Sequence, residues 1–216
     1  LYPSIVQNPI DNRAYWDQYY KNKICPTEPS PFARYAATLM EKGKSLLELG
    51  CGNGRDALFF AGLGLQVTAI DLSRSAIDEL NRQGAENARF LCGDFVNLQE
   101  FGPEEFDYAY SRFTIHAISQ NQERVLLRNV HTVLKPGGKF LIEVRGIHDP
   151  LYGKGEALER NAFFYDNHYR RFLVMEELTE ELLFFGFRVT YAEEKTGFAP
   201  YGNDDPPVIR VAAEKI

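Results

Sequence analysis

The segment Glu48-Leu-Gly-Cys-Gly-Asn-Gly54 constrains this chain more than any other stretch. Three glycines at alternate positions follow a short apolar run, Ser45 to Leu49, and precede a helical pattern from Asp56 to Leu63. Gly50 and Gly52 permit a sharp turn and a close backbone approach that a Cβ would block. Gly54 leads into a helix N-terminus, whose free N–H groups favour electronegative ligand atoms. Strand, glycine turn and helix in that order begin a mostly parallel α/β sheet.

Strand and helix patterns then alternate. Gln66 to Ile70, Ala88 to Cys92 and Phe106 to Tyr110 read as strands, and Ser73 as the N-cap of a helix closed near Gly84. Ser119 with Gln122 at the third helical position forms a capping box. The apolar stripe Leu126, Leu127, Val130 and Leu134 follows, and Pro136-Gly137-Gly138 stops that helix. Lys139 to Val144 is a fifth strand, Glu176 to Phe185 a helix, and Phe187 to Tyr191 and Val208 to Ala213 are closing strands. Residues 146–172 read as an irregular insertion rich in Gly, Tyr, His and Arg. Residues 1–44 read as a cap or lid, with Tyr15, Trp16, Tyr19 and Tyr20 on one helix, then a loop fixed by Pro26, Pro29 and Pro31. The expected organisation is this cap plus one α/β domain over 45–216, carrying its insertion at about 146–172.

A dinucleotide fingerprint needs glycine at position 55, where Arg55 stands. The G-x-G-x-G spacing with Glu48 two residues upstream fits a sulfonium nucleoside better, because Glu48 faces a cationic amino group. Asp71 ends the second strand, where a ribose-binding carboxylate belongs. Gly93-Asp94-Phe95 follows the third strand; Asp94 can accept from an adenine amine, with Phe95 or Leu72 against the ring.

These motifs, with Phe106-Asp-Tyr108 and Leu134-Lys-Pro-Gly-Gly138, resemble the class I S-adenosylmethionine-dependent methyltransferases. The resemblance implies a Rossmann-like, seven-stranded, mostly parallel sheet with an antiparallel last strand and helices on both faces. It implies S-adenosyl-L-methionine as cofactor, with Glu48, Gly50 and Gly52 at its methionine part, Asp71 at the ribose, and Asp94 and Phe95 at the adenine. Asn53, Arg55, Leu72, Ser111 and Tyr19 complete the expected cofactor set.

Net charge is -6, from 24 basic and 30 acidic residues, which disfavours nucleic acid as the main partner. Apolar runs such as Leu182 to Phe185 are far below the ~18 residues of a membrane span. No secretory signal pattern opens the chain, and its start at Leu1 suits a domain excised from a longer protein. Three cysteines, Cys25, Cys51 and Cys92, without a close pair suit a reducing, cytoplasmic setting.

The acceptor side should lie beyond strands four and five. A hydroxyl acceptor benefits from a general base, and a carboxylate or phosphate does not. His148, in Arg145-Gly-Ile-His-Asp149, is the first candidate base, with Asp149 orienting it and His116 in reserve. No ligand spacing argues for a metal. Glu28-Pro-Ser-Pro-Phe32, Asp149-Pro-Leu-Tyr-Gly153 and Asp205-Pro-Pro-Val-Ile209 resemble bacterial methyltransferases of surface-glycan assembly. That likeness implies O-methylation of a saccharide, its phosphate or another small molecule. It also implies fusion to, or association with, other glycan-assembly domains. The competing readings are an inactive cofactor-binding subunit or sensor acting through a partner, and an RNA methyltransferase.

Overall fold

The computed structural model describes residues 13–22 and 25–216 of the 216-residue chain. Part of the expected N-terminal cap, residues 1–12, 23 and 24, lies outside the described residues.

Seven strands form the main sheet: β1 (Ser45–Leu49), β2 (Gln66–Asp71), β3 (Ala88–Cys92), β4 (Phe106–Arg112), β5 (Leu134–Arg145), β9 (Phe187–Lys195) and β10 (Val208–Lys215). Their spatial order is β3-β2-β1-β4-β5-β10-β9. The first five are parallel, and β10 inserts antiparallel between β5 and β9. This is the expected Rossmann-like sheet with its antiparallel last strand.

Period-two alternation sends neighbouring side chains to opposite faces. On one face Leu47, Leu49, Ile70, Phe140 and Ile142 pack against α5 (Gln120–Val133) and α6 (Met175–Phe184). On the other, Leu46, Val67, Ala69 and Leu141 meet α2 (Pro31–Ala37), α3 (Arg55–Gly62) and α4 (Arg74–Gln83). The capping box forms: the Ser119 hydroxyl accepts from Gln122 N–H, and Gln122 Oε1 accepts from Ser119 N–H at 3.0 Å.

Two expectations need correction. The proline segment is not all loop, because Ser30 caps α2 with Pro31 in its first turn. Asp56 of α3 holds that cap, accepting the Ser30 N–H and hydroxyl, each at 2.7 Å, and the Tyr110 hydroxyl at 2.9 Å. Truncating the fully buried Phe32 of α2 to Ala should therefore cost about 3–5 kcal/mol.

The insertion is not irregular either. It holds a separate antiparallel sheet of β6 (Glu156–Glu159), β7 (Ala162–Tyr165) and β8 (His168–Arg171). Asp166 and Asn167, both at φ 54°, make the two-residue turn between β7 and β8. That left-handed pair is the turn whose twist matches a hairpin, and Asp and Asn tolerate it.

Candidate functional site

A cleft of about 410 Å³, open to solvent, lies at the C-terminal ends of β1, β2 and β4, where ligands of such sheets bind. The glycine loop forms its floor. Gly50 sits at φ 76°, and a Cβ there would lie 2.2 Å from Thr114 Cγ2. Gly52, at φ 55°, lies under the Tyr20 hydroxyl, which a Cβ would meet at 2.2 Å. No side chain beyond hydrogen fits at either position.

Asp71 organises the loop as well as lining the cleft. Its Oδ2 accepts the Gly52 N–H and its Oδ1 the Ser73 N–H, both at 2.8 Å. Burial raises its pKa, and the two N–H donors offset part of that rise. Each carboxylate oxygen keeps a second lone pair for a ribose hydroxyl.

Glu48 is 4% exposed, lines the cleft, and its Oε2 has no hydrogen-bond partner among the described residues. Burial, then the nearby Asp56 and Asp71, push its carboxyl well above the usual carboxylate range. An unpartnered buried acceptor is costly unless a ligand satisfies it. An ammonium group at Glu48 does so and restores its charge.

Leu72 and Phe95 line the cleft next to the end of β2, offering apolar surface to a flat ring. Asn53, Arg55 and Tyr19 line it too; the Asn53 amide donates to the Pro26 carbonyl at 2.9 Å. Asp94 is not among the lining residues. It is exposed, and its Oδ1 accepts the Val96 N–H at 2.9 Å, the bond of an ordinary Asx turn. Ser111 is fully buried with its hydroxyl bonded to Thr114, and the adjoining Arg112, Phe113 and Thr114 reach the cleft instead.

The acceptor end differs most from expectation. His148 is exposed and does not line the cleft, because its ring turns to β9, with Nδ1 2.8 Å from Glu194 Oε2. Asp149 is buried, but it pairs with Arg145 and accepts the Leu151 N–H rather than orienting a histidine. His116 does line the cleft, and sequence reasoning missed its neighbour His168. They are 4% and 2% exposed, with ring centroids 6.5 Å apart, and the Nδ1 of each lacks a hydrogen-bond partner among the described residues. Burial, then nearby arginines, lowers both pKa values, that of His168 to about 3. Both imidazoles are therefore neutral at pH 7.

The remaining wall comes from α1 (Arg13–Asn22). Tyr15 stacks on His168 at 4.8 Å, and Trp16 meets it edge-on at 5.0 Å. Tyr15, Trp16, Tyr19 and Tyr20 all line the cleft, beside Arg145 and Arg170. At about 410 Å³ the cleft lies within the roughly 300–1,000 Å³ of a typical ligand pocket. Among the described residues, no group of three His, Cys, Asp or Glu side chains could hold a metal ion.

The sheet order, with its cleft at the strand ends, is that of the S-adenosylmethionine-dependent methyltransferase fold. Residues 46–138 match the family described as "Methyltransferase domain". An uncharacterized methyltransferase of Synechocystis is 31% identical over 100 residues, covering 46% of each chain. The yeast tRNA(Thr) (cytosine(32)-N(3))-methyltransferase is 27% identical over 195 residues, covering 78% of this chain and 30% of its own. The chain thus spans under half the length of these two curated relatives. The Burkholderia thailandensis 1,6-didemethyltoxoflavin-N1-methyltransferase, solved with S-adenosylhomocysteine, superposes with a TM-score of 0.72 at 22% identity. That likeness covers 94% of this chain and 86% of the other.

Proposed function

We propose that the chain is an S-adenosylmethionine-dependent O-methyltransferase acting on a small polar acceptor, with saccharides and their phosphates the leading class. When bound, the cofactor supplies a methyl group on a sulfonium. The acceptor oxygen's electron pair makes the new C–O bond while the C–S pair stays on sulfur. Glu48 holds the methionine ammonium, Asp71 the ribose, and Leu72 with Phe95 the adenine. The observation that carries the cofactor reading is the unpartnered Glu48 Oε2 in the cleft.

The aromatic faces of α1 and the guanidinium groups opposite them suit a small polar acceptor. His116 is the cleft imidazole that can receive an acceptor hydroxyl at its unpartnered Nδ1. Residues 13–22 act as a lid over both reactants. The acidic chain favours a small acceptor over RNA, and an odd cysteine count favours the cytoplasm.

The test is formation of S-adenosylhomocysteine with a panel of sugars, sugar phosphates, hydroxy acids and tRNA. Transfer to a small acceptor is the expected result. Cofactor binding without transfer to any member would favour the sensor reading, and transfer to tRNA alone the RNA enzyme.

A further inference from the structure

Four guanidinium groups line the cleft: Arg55, Arg112, Arg145 and Arg170. Three of them have a carboxylate within 4 Å. Arg55 Nε lies 3.8 Å from Asp56, Arg112 Nε lies 3.0 Å from Glu143, and Arg145 pairs with Asp149. Arg170 has no such partner among the described residues. Its hydrogen bond to the Tyr165 carbonyl, at 3.4 Å, is long. Asp166 also lines the cleft, yet it does not reach ion-pair distance of Arg170.

Strand alternation explains the placement. On β8, His168 and Arg170 face the cleft, while Tyr169 and Arg171 turn away to Glu159 and Glu123. Arg171 is thus neutralised and Arg170 is not. Beside Arg170 stand His168 and His116, each with a buried Nδ1 that no group among the described residues satisfies. A neutral imidazole offers one N–H donor without a charge of its own. Asp166 and Asp149 favour the Arg170 charge only from beyond ion-pair distance. A partly buried guanidinium with no carboxylate in contact among the described residues, next to two orphaned imidazole nitrogens, is a receptor suited to an anion.

We propose that the acceptor is a small organic anion, a carboxylate or phosphate monoester, whose charged group pairs with Arg170 and whose body lies against the rings of Tyr15 and Trp16. This deepens the methyltransferase reading and rests on it for the word acceptor. The anion site itself is read by binding alone. Arg170 is a specificity-determining residue, and the base-free chemistry of a carboxylate or phosphate oxygen suits a cleft whose histidines are weakly basic.

The experiment titrates protein saturated with S-adenosylhomocysteine with benzoate, phenyl phosphate and the neutral isostere benzamide. At least one anion should bind tenfold or more tightly than benzamide, and whichever binds better identifies the headgroup. Arg170→Met should weaken that anion tenfold or more while leaving S-adenosylhomocysteine affinity unchanged, and Arg170→Lys should restore part of the loss. Arg188→Met makes the same charge change at an exposed ion pair with Glu214 and should leave anion binding as in the wild type. Equal affinity for anion and amide, no saturable anion binding, or anion binding indifferent to Arg170→Met each overturns the proposal. Arg170-dependent anion binding without methyl transfer to any acceptor would overturn the enzyme reading and leave the anion site standing.

Discussion

The Asp17 carboxylate of α1 accepts both the backbone N–H of Ser75, at 3.0 Å, and its hydroxyl, at 2.9 Å. The same oxygen accepts the Ser73 hydroxyl at 3.0 Å. One side chain thereby ties the aromatic helix to the start of α4, whose N-cap Ser73 lies two residues beyond the cleft residue Asp71. The Ser75 N–H is the main reason its pKa falls to about 2. A depressed carboxylate pKa means the tie persists above the ordinary value of 3.8 and is lost only as pH falls toward 2.

Asp17→Ala should accordingly loosen α1 at any pH between 5 and 8. Amide exchange over residues 13–22 should speed up, and S-adenosylhomocysteine should bind about 0.5–2 kcal/mol more weakly, the range of a lost helix cap. Exchange and affinity matching the wild type would show that α1 is held by its aromatic contacts alone.

Glu48→Gln should separate stability from binding. The substitution removes an ionisable carboxyl whose charge burial and the nearby Asp56 and Asp71 oppose, so the ligand-free protein should gain stability in urea unfolding at pH 7. It also removes the counter-charge for an ammonium, so cofactor affinity should fall by about 1.5–3 kcal/mol in calorimetry. A variant that loses stability and binds as before would take Glu48 out of the cofactor site.

The two histidines flanking strand five should part company in kinetics. His148→Ala removes an exposed ring paired with Glu194 and should leave the methyl-transfer rate within about twofold. His116→Gln keeps the ring's approximate size and polarity inside the cleft and should slow transfer about 10²-fold or more if a hydroxyl proton is lost in the slow step. The reverse pattern would return the base to the surface position.

Acid should destabilise the fold from near neutrality because His116 and His168 are buried neutral. A histidine whose folded pKa is depressed contributes fully above its unfolded value of about 6.5 and loses that contribution as pH falls. For His168, with a folded value of about 3, the loss at pH 5.5 is about 1.4 kcal/mol. Glu48 and Asp71, with raised values, act in the opposite sense, so the useful readout is a difference. The stability gap between wild type and His168→Asn should narrow by about 1 kcal/mol from pH 7.5 to 5.5, and a constant gap would mean His168 titrates normally.

The cofactor half of the molecule was legible because local rules and tertiary demands agree there. The glycine loop, Ser73, the Ser119–Gln122 box and the alternating strands each have one low-energy reading, and the sheet adopts it. The acceptor half was less legible because its meaning lies in register. Asp166-Asn167 is a hairpin turn signal, yet the flanking strands have only four residues each and lack a clear apolar alternation. Without that register, His168 and Arg170 look like members of one polar cluster with Arg171. His148 stands at the right strand end, but a side chain's direction after a strand depends on its partner, here Glu194 forty-six residues away. Ser30-Pro31 carried a helix-start signal that the neighbouring Pro26 and Pro29 masked.

The three-stranded insertion leaves and rejoins the body at a single neck. Gly146 and Leu173 form an isolated bridge there, Ile147 N–H donates to the Leu173 carbonyl, and Leu173 N–H donates to that of Arg145, both at 3.0 Å. With its ends already held together, the segment between them can change length at a cost that grows only logarithmically with the residues added. The neck is thus a natural graft junction: a lineage could exchange residues 147–172 wholesale and acquire a new chemical diet while inheriting its methyl supply unchanged.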